Sequence, residues 1–368
     1  MAQRRFTIGI EEEYQIIHPD TRELTSYIQE FLDEGRVILK DQIKPEFLQS
    51  QVEVGSRICE DIHGVREEIV RLRREVSRLA ESKNLRVAAA GTHPFTSWTT
   101  QEITSGERYT KHAENMADVA RQMLVFGMHV HVGIDDPDVM IDVMNQSRYF
   151  LPHMLALSTS SPFWAGRNTG LKSYRTIILN SLPRAGLPPS FRSRAEYAIF
   201  VDTLVRTGCI DEPTKIWWDI RPNPKFPTLE FRFADICTRI DEAVCLSAMV
   251  VALVAKLIRL RESNVSWREY RRNLITENKW RAARYGIGGK LIDFGKRDEF
   301  PVGDLVREFY TFVDDVVDDL GLREDVHYAD TILEGGTSAD RQLDVYKQGH
   351  DLRAVVDHVI AETKQGID

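Results

Sequence analysis

The pattern of hydrophobic and polar positions predicts strands and helices in irregular alternation up to about residue 235 and mostly helices after Thr238. Alternating or continuous apolar segments predict strands over 5–17, 47–54, 85–90, 126–134, 216–220 and 228–234. The last two strands flank a turn at 222–227 and predict a hairpin. Helical spacing of apolar residues predicts helices over 65–81, 108–124, 138–157, 194–207, 241–261, 267–285, 301–320 and, with interruptions, 337–362.

Strands that are neighbours in sequence look like hairpins as often as crossovers. This order predicts an α+β fold, in which a mainly antiparallel sheet is covered by helices. The segment 158–191 is rich in Ser, Pro and Gly and is long for a connection without structure, so we expect a functional surface loop there. No linker, low-complexity stretch or repeat divides the chain.

Composition narrows the classes of function. The chain has 368 residues and a net charge of −8, which argues against a nucleic-acid partner because phosphate binding needs clustered Lys and Arg. The longest apolar stretch, 248–257 with Lys256 within it, is shorter than the roughly 20 residues of a spanning helix, so we expect no transmembrane segment and no membrane partner. The polar start lacks the apolar stretch of a secretory signal. Four scattered cysteines without a CxxC pair indicate free thiols in a reducing cytoplasm.

Three consecutive glutamates interrupt the first predicted strand, in the sequence GIEEEY at 9–14. Glu11 and Glu13 share one face because side chains alternate along a strand, and burying carboxylates is costly. One interpretation is an edge strand whose charges deter pairing with another chain. Glu53 and Glu230 also lie within apolar strands, which favours a second interpretation, in which the acids gather around a cation.

His129 and His131 add two imidazoles to one face of the strand predicted over 126–134. Such a pair also occurs in zinc sites, and ordinary sheet histidines satisfied by their neighbours are a further alternative. Together with the glutamates, an oxygen-rich donor set favours Mg²⁺, or Mn²⁺, serving a phosphate substrate. Glu230 and Arg232 share a face, and one interpretation is a simple salt bridge. In the other interpretation Glu230 holds a metal ion and Arg232 stabilises the charge on a transferred phosphoryl group.

Several common catalytic motifs are missing from the sequence. It contains no GxxxxGK[ST] phosphate loop, no GxGxxG that opens a helix and no kinase catalytic-loop set. A GxSxG nucleophile elbow is also missing, which disfavours the common serine hydrolases. No side-chain nucleophile stands out.

The sequence resembles the carboxylate-amine ligases of the glutamate-cysteine ligase type 2 family, which have the wider glutamine synthetase-like fold. The matching motifs run in one order over nearly the whole chain. They are GIEEEY (9–14), GTHPF (91–95), MHVHVG (128–133), SSPFW (160–164), TGLKSYR (169–175), LPRAGLP (182–188), WWDIRP (217–222) and NKWRAARYG (278–286).

The resemblance implies one catalytic domain over residues 1–368, with a curved, mainly antiparallel sheet that carries ATP, two or three Mg²⁺ ions and an amino-acid carboxylate. The metal ligands it implies are Glu11, Glu13, Glu53, Glu230 and His129. The nucleotide contacts it implies are His129, His131, Arg221 and Arg232, and the catalytic residues are Arg232, Glu53 and Arg175. Arg232 is expected at the γ-phosphate, and Arg175 at the substrate carboxylate, with Tyr174 beside it as a contact or as ordinary packing.

The function that the resemblance implies is ATP-dependent ligation. The side-chain carboxylate of glutamate, or of a glutamate-like acid, would be activated as an acyl phosphate and joined to an amine such as cysteine, with release of ADP and phosphate. We expect a cytoplasmic homo-oligomer, a dimer or larger, whose partners are small molecules.

Two other functions remain open at this point. The same sheet could carry a metal-dependent amide hydrolase, in which the acids and the histidine pair activate water. A nucleotide-binding or scaffold protein without activity is the third interpretation, and the complete set of acids argues against it. Near the C-terminus, Gly335-Gly336 is interpreted first as a turn before a helix whose N-cap is Thr337.

Overall fold

The computed structural model describes residues 6–26 and 28–367, so Arg5, the first residue of the first predicted strand, lies outside them. The strands are β1 (Ile8–Ile17), β2 (Ile43–Pro45), β3 (Gln51–Gly55), β4 (Arg86–Ala88), β5 (Gly127–Gly133), β6 (Phe163–Trp164), β7 (Arg167–Asn168), β8 (Ala185–Gly186), β9 (Trp217–Trp218), β10 (Ile220–Pro222), β11 (Thr228–Asp235), β12 (Lys290–Asp293) and β13 (Asp298–Pro301). The helices are α1 (Ile28–Leu39), α2 (Ile62–Ser82), α3 (Glu107–Met116), α4 (Asp118–Arg121), α5 (Pro137–Ser147), α6 (Leu151–Ser158), α7 (Tyr174–Leu179), α8 (Arg194–Arg206), α9 (Ile240–Glu262), α10 (Arg272–Tyr285), α11 (Val302–Val317), α12 (Arg323–Gly335), α13 (Ser338–Gly349) and α14 (Leu352–Thr363).

The main sheet has the strand order β10-β11-β5-β1-β3-β2, and β4 pairs with the far end of β1. Every pairing within it is antiparallel, which confirms the predicted α+β class with a mainly antiparallel sheet. The predicted hairpin is confirmed as the β10 and β11 pair, but most of its first predicted strand, 216–220, is wrong, because Trp217–Trp218 pair with β8 instead. Because β1 lies between β5 and β3, the edge-strand interpretation of the three glutamates is wrong.

Helix α9 is the apolar centre of the helical layer. It contacts α2, α5, α11 and α12 as well as β5. By length and composition alone it could cross a membrane, but 83% of its apolar window is buried inside the protein. The apolar segment is longer than the stretch 248–257, because the helix continues the apolar pattern on both sides of it, and the expectation of no transmembrane segment stays a prediction.

Several predicted elements are divided in the structure. The strand predicted over 47–54 begins only at Gln51, because the chain first reverses from β2 through a turn. The helix predicted over 108–124 breaks into α3 and α4 at Ala117, which has a φ of 49°. The helix predicted over 138–157 is divided into α5 and α6. Helices α1 and α12 and the β12 and β13 hairpin were not expected from the pattern.

The segment 158–191, predicted as a functional surface loop, contains regular elements that pack on the sheet, so the surface loop is wrong and only the functional role stays a prediction. It contains β6, β7, α7 and β8. The buried carboxylate of Asp235, at the end of β11, accepts hydrogen bonds from Ser160 N at 2.9 Å, Ser161 Oγ at 2.7 Å and Ser173 Oγ at 2.8 Å. A Cβ atom on Gly91 would lie 2.8 Å from Asp235 Cγ, so a glycine is needed for this close approach. Hydrogen bonding to the sheet thus replaces the apolar periodicity that the segment lacks.

A buried ion pair joins the sheet to α2 on the face opposite Glu11 and Glu13. Arg73 is 1% exposed and pairs with Glu12 of β1, whose other oxygen contacts the Tyr14 hydroxyl. The Arg73 guanidinium also donates to the carbonyl oxygens of Thr238, at 2.6 Å, and Cys237, at 2.8 Å. One side chain therefore fastens β1, α2 and the segment before α9 together.

We expect Arg73→Met to lower the free energy of unfolding by about 3–5 kcal/mol, because it leaves the Glu12 carboxylate buried without its cation. Urea unfolding followed by tryptophan fluorescence measures the change. The control is Arg307→Met, which removes an exposed pair with Asp304 and should stay within about 0.5 kcal/mol of wild type. A loss for Arg73→Met as small as the control's would contradict the anchoring role.

Candidate active site

Strand register brings the predicted acids and imidazoles onto one face of the main sheet. Glu11 on β1 is the Cα partner of His129 on β5, and Glu230 on β11 is the partner of His131. On the other side of β1, Glu13 is the partner of Glu53 on β3. Residues opposite each other in neighbouring strands project to the same face, so four strands contribute to one cluster.

One group of potential ligands, here called the histidine triad, consists of Glu11, His131 and Glu230. Each offers one atom, and these atoms lie within 4.8 Å of one another. His131 is 7% exposed, and its Nε2 lies 3.5 Å from Glu11 Oε2 with no hydrogen-bond partner among the described residues. A buried ring nitrogen without a partner, next to the Glu11 carboxylate and in one group with Glu230, is the arrangement that a bound cation completes.

A second group, here called the acid triad, consists of Glu13, Glu46 and Glu53, again with ligand atoms within 4.8 Å. Burial and the neighbouring charge of Glu13 raise the pKa of Glu46. Burial raises the pKa of Glu53 well above its usual value, and the negative charges of Glu11 and Glu46 raise it further. Three carboxylates gathered this closely, two of them with raised pKa values, form a site that a divalent cation would stabilise.

Glu46 is a site residue that the sequence did not reveal. It follows β2 at the start of the turn that leads into β3, and the reversal of the chain returns its carboxylate to Glu53. The pattern over 47–54 predicted one continuous strand, which would have carried Glu46 away from the site. Pro45, which ends β2 directly before Glu46, is a local signal for this break in the chain, but it does not reveal which strand the chain then pairs with.

His129 lies between the two triads. Its Nδ1 is 3.2 Å from Glu11 Oε2 and 3.3 Å from an Arg232 nitrogen, and its Nε2 is 3.8 Å from Glu13 Oε1. Burial and the charge of Arg232 lower the pKa of His129. Burial by itself would raise the pKa of Glu11. Contacts with the imidazoles of His129 and His131 outweigh burial and hold that pKa well below the usual value. Of the two histidines, His131 is the one whose ring nitrogen lies close enough to both Glu11 and Glu230 to share a metal ion with them.

Glu230 is held by a set of donors. Arg221 donates to both of its oxygens, at 3.0 and 3.2 Å, Asn223 Nδ2 donates at 2.9 Å, and Arg232 forms an ion pair with it. Burial acts against ionisation, but the charges of Arg232 and Arg221 outweigh it, so the pKa of Glu230 is below its usual value. Arg221 also donates to the carbonyl oxygen of Thr214 at 2.8 Å. Its guanidinium thus faces protein acceptors and orients Glu230.

Arg175 is the second residue of α7 and is 3% exposed. Its guanidinium lies 3.3 Å from the Arg232 carbonyl oxygen and 3.5 Å from that of Phe233, and its Nε has no partner among the described residues. A Cβ atom on Gly127 would lie 2.2 Å from Arg175 Nη2, and the Gly127 N–H donates to Glu13 Oε2 at 2.5 Å. The structure therefore places the Arg175 guanidinium against Gly127 at the start of β5, next to Glu13 of the acid triad.

Two supporting residues show how the surrounding segments are fixed. The Tyr174 ring lies 5.7 Å from the ring of Trp164, which fits the packing alternative. Thr337 is confirmed as the N-cap of α13, where it forms a capping box with Asp340. The Thr159 hydroxyl donates to the Thr337 hydroxyl at 2.9 Å, so the C-terminal helices fasten the segment that carries Arg175.

Lys44 was not expected from the sequence, because β2 was not predicted. Its Nζ lies 2.9 Å from Glu53 Oε1 and 3.1 Å from Glu11 Oε1. Burial alone would lower the pKa of Lys44, but attraction to Glu53 and Glu11 outweighs it and raises the pKa. Lys44 and Arg232 thus add positive charge beside two groups of carboxylates, an arrangement suited to divalent cations and a polyphosphate.

The chain is similar to known proteins along nearly its whole length. The model of glutamate-cysteine ligase family 2 (GCS2) matches residues 7–358. A protein of Herpetosiphon aurantiacus named "Putative glutamate--cysteine ligase 2" is 55% identical over 362 residues, which cover 98% of this chain and 94% of that protein. A protein of the same name from Chloroflexus aurantiacus is 56% identical over 366 residues, covering 100% of this chain and 94% of that one.

Two solved structures have a similar fold. A crystal structure of glutamate-cysteine ligase from Francisella tularensis in complex with AMP has a TM-score of 0.74 and 13% identity, covering 99% of this chain and 90% of that one. The bifunctional glutathione synthetase from Pasteurella multocida has a TM-score of 0.70 and 15% identity, covering 98% of this chain and 53% of that one. These structures support the predicted glutamate-cysteine ligase-like fold.

These four proteins are named as ligases or synthetases, and the hydrolase alternative gains no support from them. The family match over residues 7–358 and the relatives above 50% identity agree with the motifs of the sequence. The chain therefore belongs to glutamate-cysteine ligase family 2 and is, by that membership, a carboxylate-amine ligase.

Proposed function

We propose that this ligase uses ATP to activate the side-chain carboxylate of glutamate, or of a glutamate-like acid, and joins it to an amine such as cysteine. The observation that carries the proposal is the convergence of two ligand triads on one sheet face, with buried imidazole nitrogens directed at them. The AMP complex of the similarly folded ligase from Francisella tularensis supports a nucleotide as one substrate.

The proposed reaction has two transfers. A carboxylate is a poor acyl donor, because its leaving group would be oxide. In the first transfer a carboxylate oxygen attacks the γ-phosphorus of ATP, the bond to the β,γ-bridging oxygen breaks, and ADP leaves. In the second, the amine attacks the acyl carbon, the bond to the phosphate oxygen breaks, and phosphate and a proton are released. Neither transfer needs a side-chain nucleophile.

The donor atoms fit divalent cations. The histidine triad and the acid triad would each hold one ion, Mg²⁺ or Mn²⁺, because carboxylate oxygens dominate both groups. When bound, such ions would neutralise the charge of the triphosphate. Glu11, Glu13, Glu53 and Glu230 keep the ligand role that the resemblance implies. Glu46 and His131 join them, and His129, between the triads, contacts a metal or the nucleotide.

The arginines have separate proposed roles. Arg232 would stabilise negative charge on the phosphoryl group in transfer, since its guanidinium lies between Glu230 and His129. Arg221 fixes Glu230 and, through it, the nucleotide side of the site. Arg175, beside Gly127 and the acid triad, would bind the carboxylate of the acid substrate.

The remaining features of the proposal concern the whole chain. We propose one catalytic domain over residues 1–368 that works in the cytoplasm, which the four free cysteines support. ATP, an amino acid and an amine are its proposed small-molecule partners. We propose a homo-oligomer, for which the exposed apolar side chains of Leu274, Trp280 and Tyr285 on α10 are candidate contacts.

Hydroxylamine tests the proposed reaction without knowledge of the amine, because it traps acyl phosphates. With ATP, Mg²⁺, glutamate and hydroxylamine, we expect ADP, phosphate and the γ-hydroxamate in equal amounts, measured by coupled assay and mass spectrometry. Omission of glutamate should abolish ADP release. A panel of amines in place of hydroxylamine then identifies the acceptor. Absence of hydroxamate across a panel of acids, or ATP-independent amide cleavage, would overturn the proposal.

We expect Glu46→Gln to lower ATP turnover by about 100-fold or more, since loss of a direct metal ligand exceeds the usual cost of losing an outer-shell partner. The metal-free variant should nevertheless melt at a higher temperature than wild type, because one of three mutually repelling carboxylates is gone. The control is Glu299→Gln, an exposed acid paired with Arg281 and Lys290, which should leave turnover unchanged. Wild-type turnover in Glu46→Gln would contradict the acid triad as a metal site.

A further inference from the structure

Lys44 occupies a distinct position in the site. It is the middle residue of the edge strand β2, and its Cα partner on β3 is Glu53. Its Nζ contacts Glu53 Oε1 at 2.9 Å and Glu11 Oε1 at 3.1 Å. Glu53 belongs to the acid triad and Glu11 to the histidine triad, so a single ammonium joins the two groups.

The surroundings separate this contact from an ordinary surface salt bridge. The side chains of Glu53 and Glu11 are 12% and 21% exposed, whereas that of Lys44 is 46% exposed and reaches them from the rim. His131, which is 7% exposed, directs an unpartnered Nε2 at the same Glu11. The cluster thus has an open ligand atom next to a carboxylate that Lys44 already contacts.

A position between two carboxylate oxygens is one that Mg²⁺ commonly occupies in phosphoryl-transfer sites, where one or two carboxylates and substrate phosphates hold it. Here the ammonium fills that position. Glu11 can contact Lys44 and also bind an ion in the histidine triad, because it uses a different oxygen for each. Its Oε1 faces Lys44, and its Oε2 lies 3.5 Å from His131 Nε2. Ions in the two triads and the ammonium between them therefore require no shared oxygen of Glu11.

We propose that the Lys44 ammonium is a built-in cation that takes the place of a third divalent ion between the two triads, so that the site binds two divalent ions per chain. The inference rests on the proposed function, because it treats both triads as metal sites. Beyond the proposed function, the inference states how many divalent ions the site binds and which residue sets that number. Lys44 acts through Glu11 and Glu53 and is a positioning residue.

Binding of Mn²⁺ alone tests the inference. Electron paramagnetic resonance of free Mn²⁺, titrated into the full chain, gives the number of ions bound. We expect two ions per wild-type chain. Lys44→Met and Lys44→Gln should bind a third, because they remove the ammonium and free one oxygen each of Glu53 and Glu11. Lys44→Arg keeps the charge and should bind two.

The matched control is Lys290→Met. Lys290 also lies in a strand and pairs with an acid, Glu299, at 3.1 Å, but on the separate hairpin of β12 and β13. The Lys290→Met variant should bind two ions, like the wild type. Two ions in wild type and in both neutral Lys44 variants would overturn the Lys44 inference and leave the triads intact. A wild-type chain that binds no Mn²⁺ would overturn the metal sites and the inference together, and three ions in wild type would overturn the inference alone.

Discussion

Repulsion between carboxylates gathered on one sheet face is the constraint on which the rest of this structure depends. The two triads bring five glutamates together, and burying such charges costs free energy unless cations compensate them. The chain supplies part of that compensation itself, through two guanidiniums at Glu230 and one ammonium at Glu11 and Glu53. In the proposed function, divalent ions would compensate the remaining negative charge.

The strand β1 serves the site and the core at once because its side chains alternate. Glu11 and Glu13 point to the site, and Glu12 between them points to the helical layer, where Arg73 neutralises it. The consecutive glutamates therefore have two different physical roles. Because β1 is central in the sheet and tied to α2 on its far face, the candidate ligands on its near face are held by rigid elements.

The segments around the sheet show how polar contacts can order a chain that lacks apolar periodicity. Asp235 holds the serine-rich segment against β11, and Thr337 holds it from the C-terminal side. The glycine at 127 leaves room for the Arg175 guanidinium next to the acid triad. Membership in glutamate-cysteine ligase family 2 accords with this use of the chain, since motifs far apart in sequence meet at one face.

The sequence by itself determined the fold class, the shared face of Glu11 and Glu13 and the family, because strand periodicity and ordered motifs are local properties. Only the tertiary structure decided that β1 is central, that His131 completes a triad, and that Glu46 and Lys44 reach the site. These facts depend on strand order and on a reversal after β2, which bring residues together by pairing across the sheet. Such long-range pairing leaves no periodic trace in a single sequence, because any strand can pair with several others.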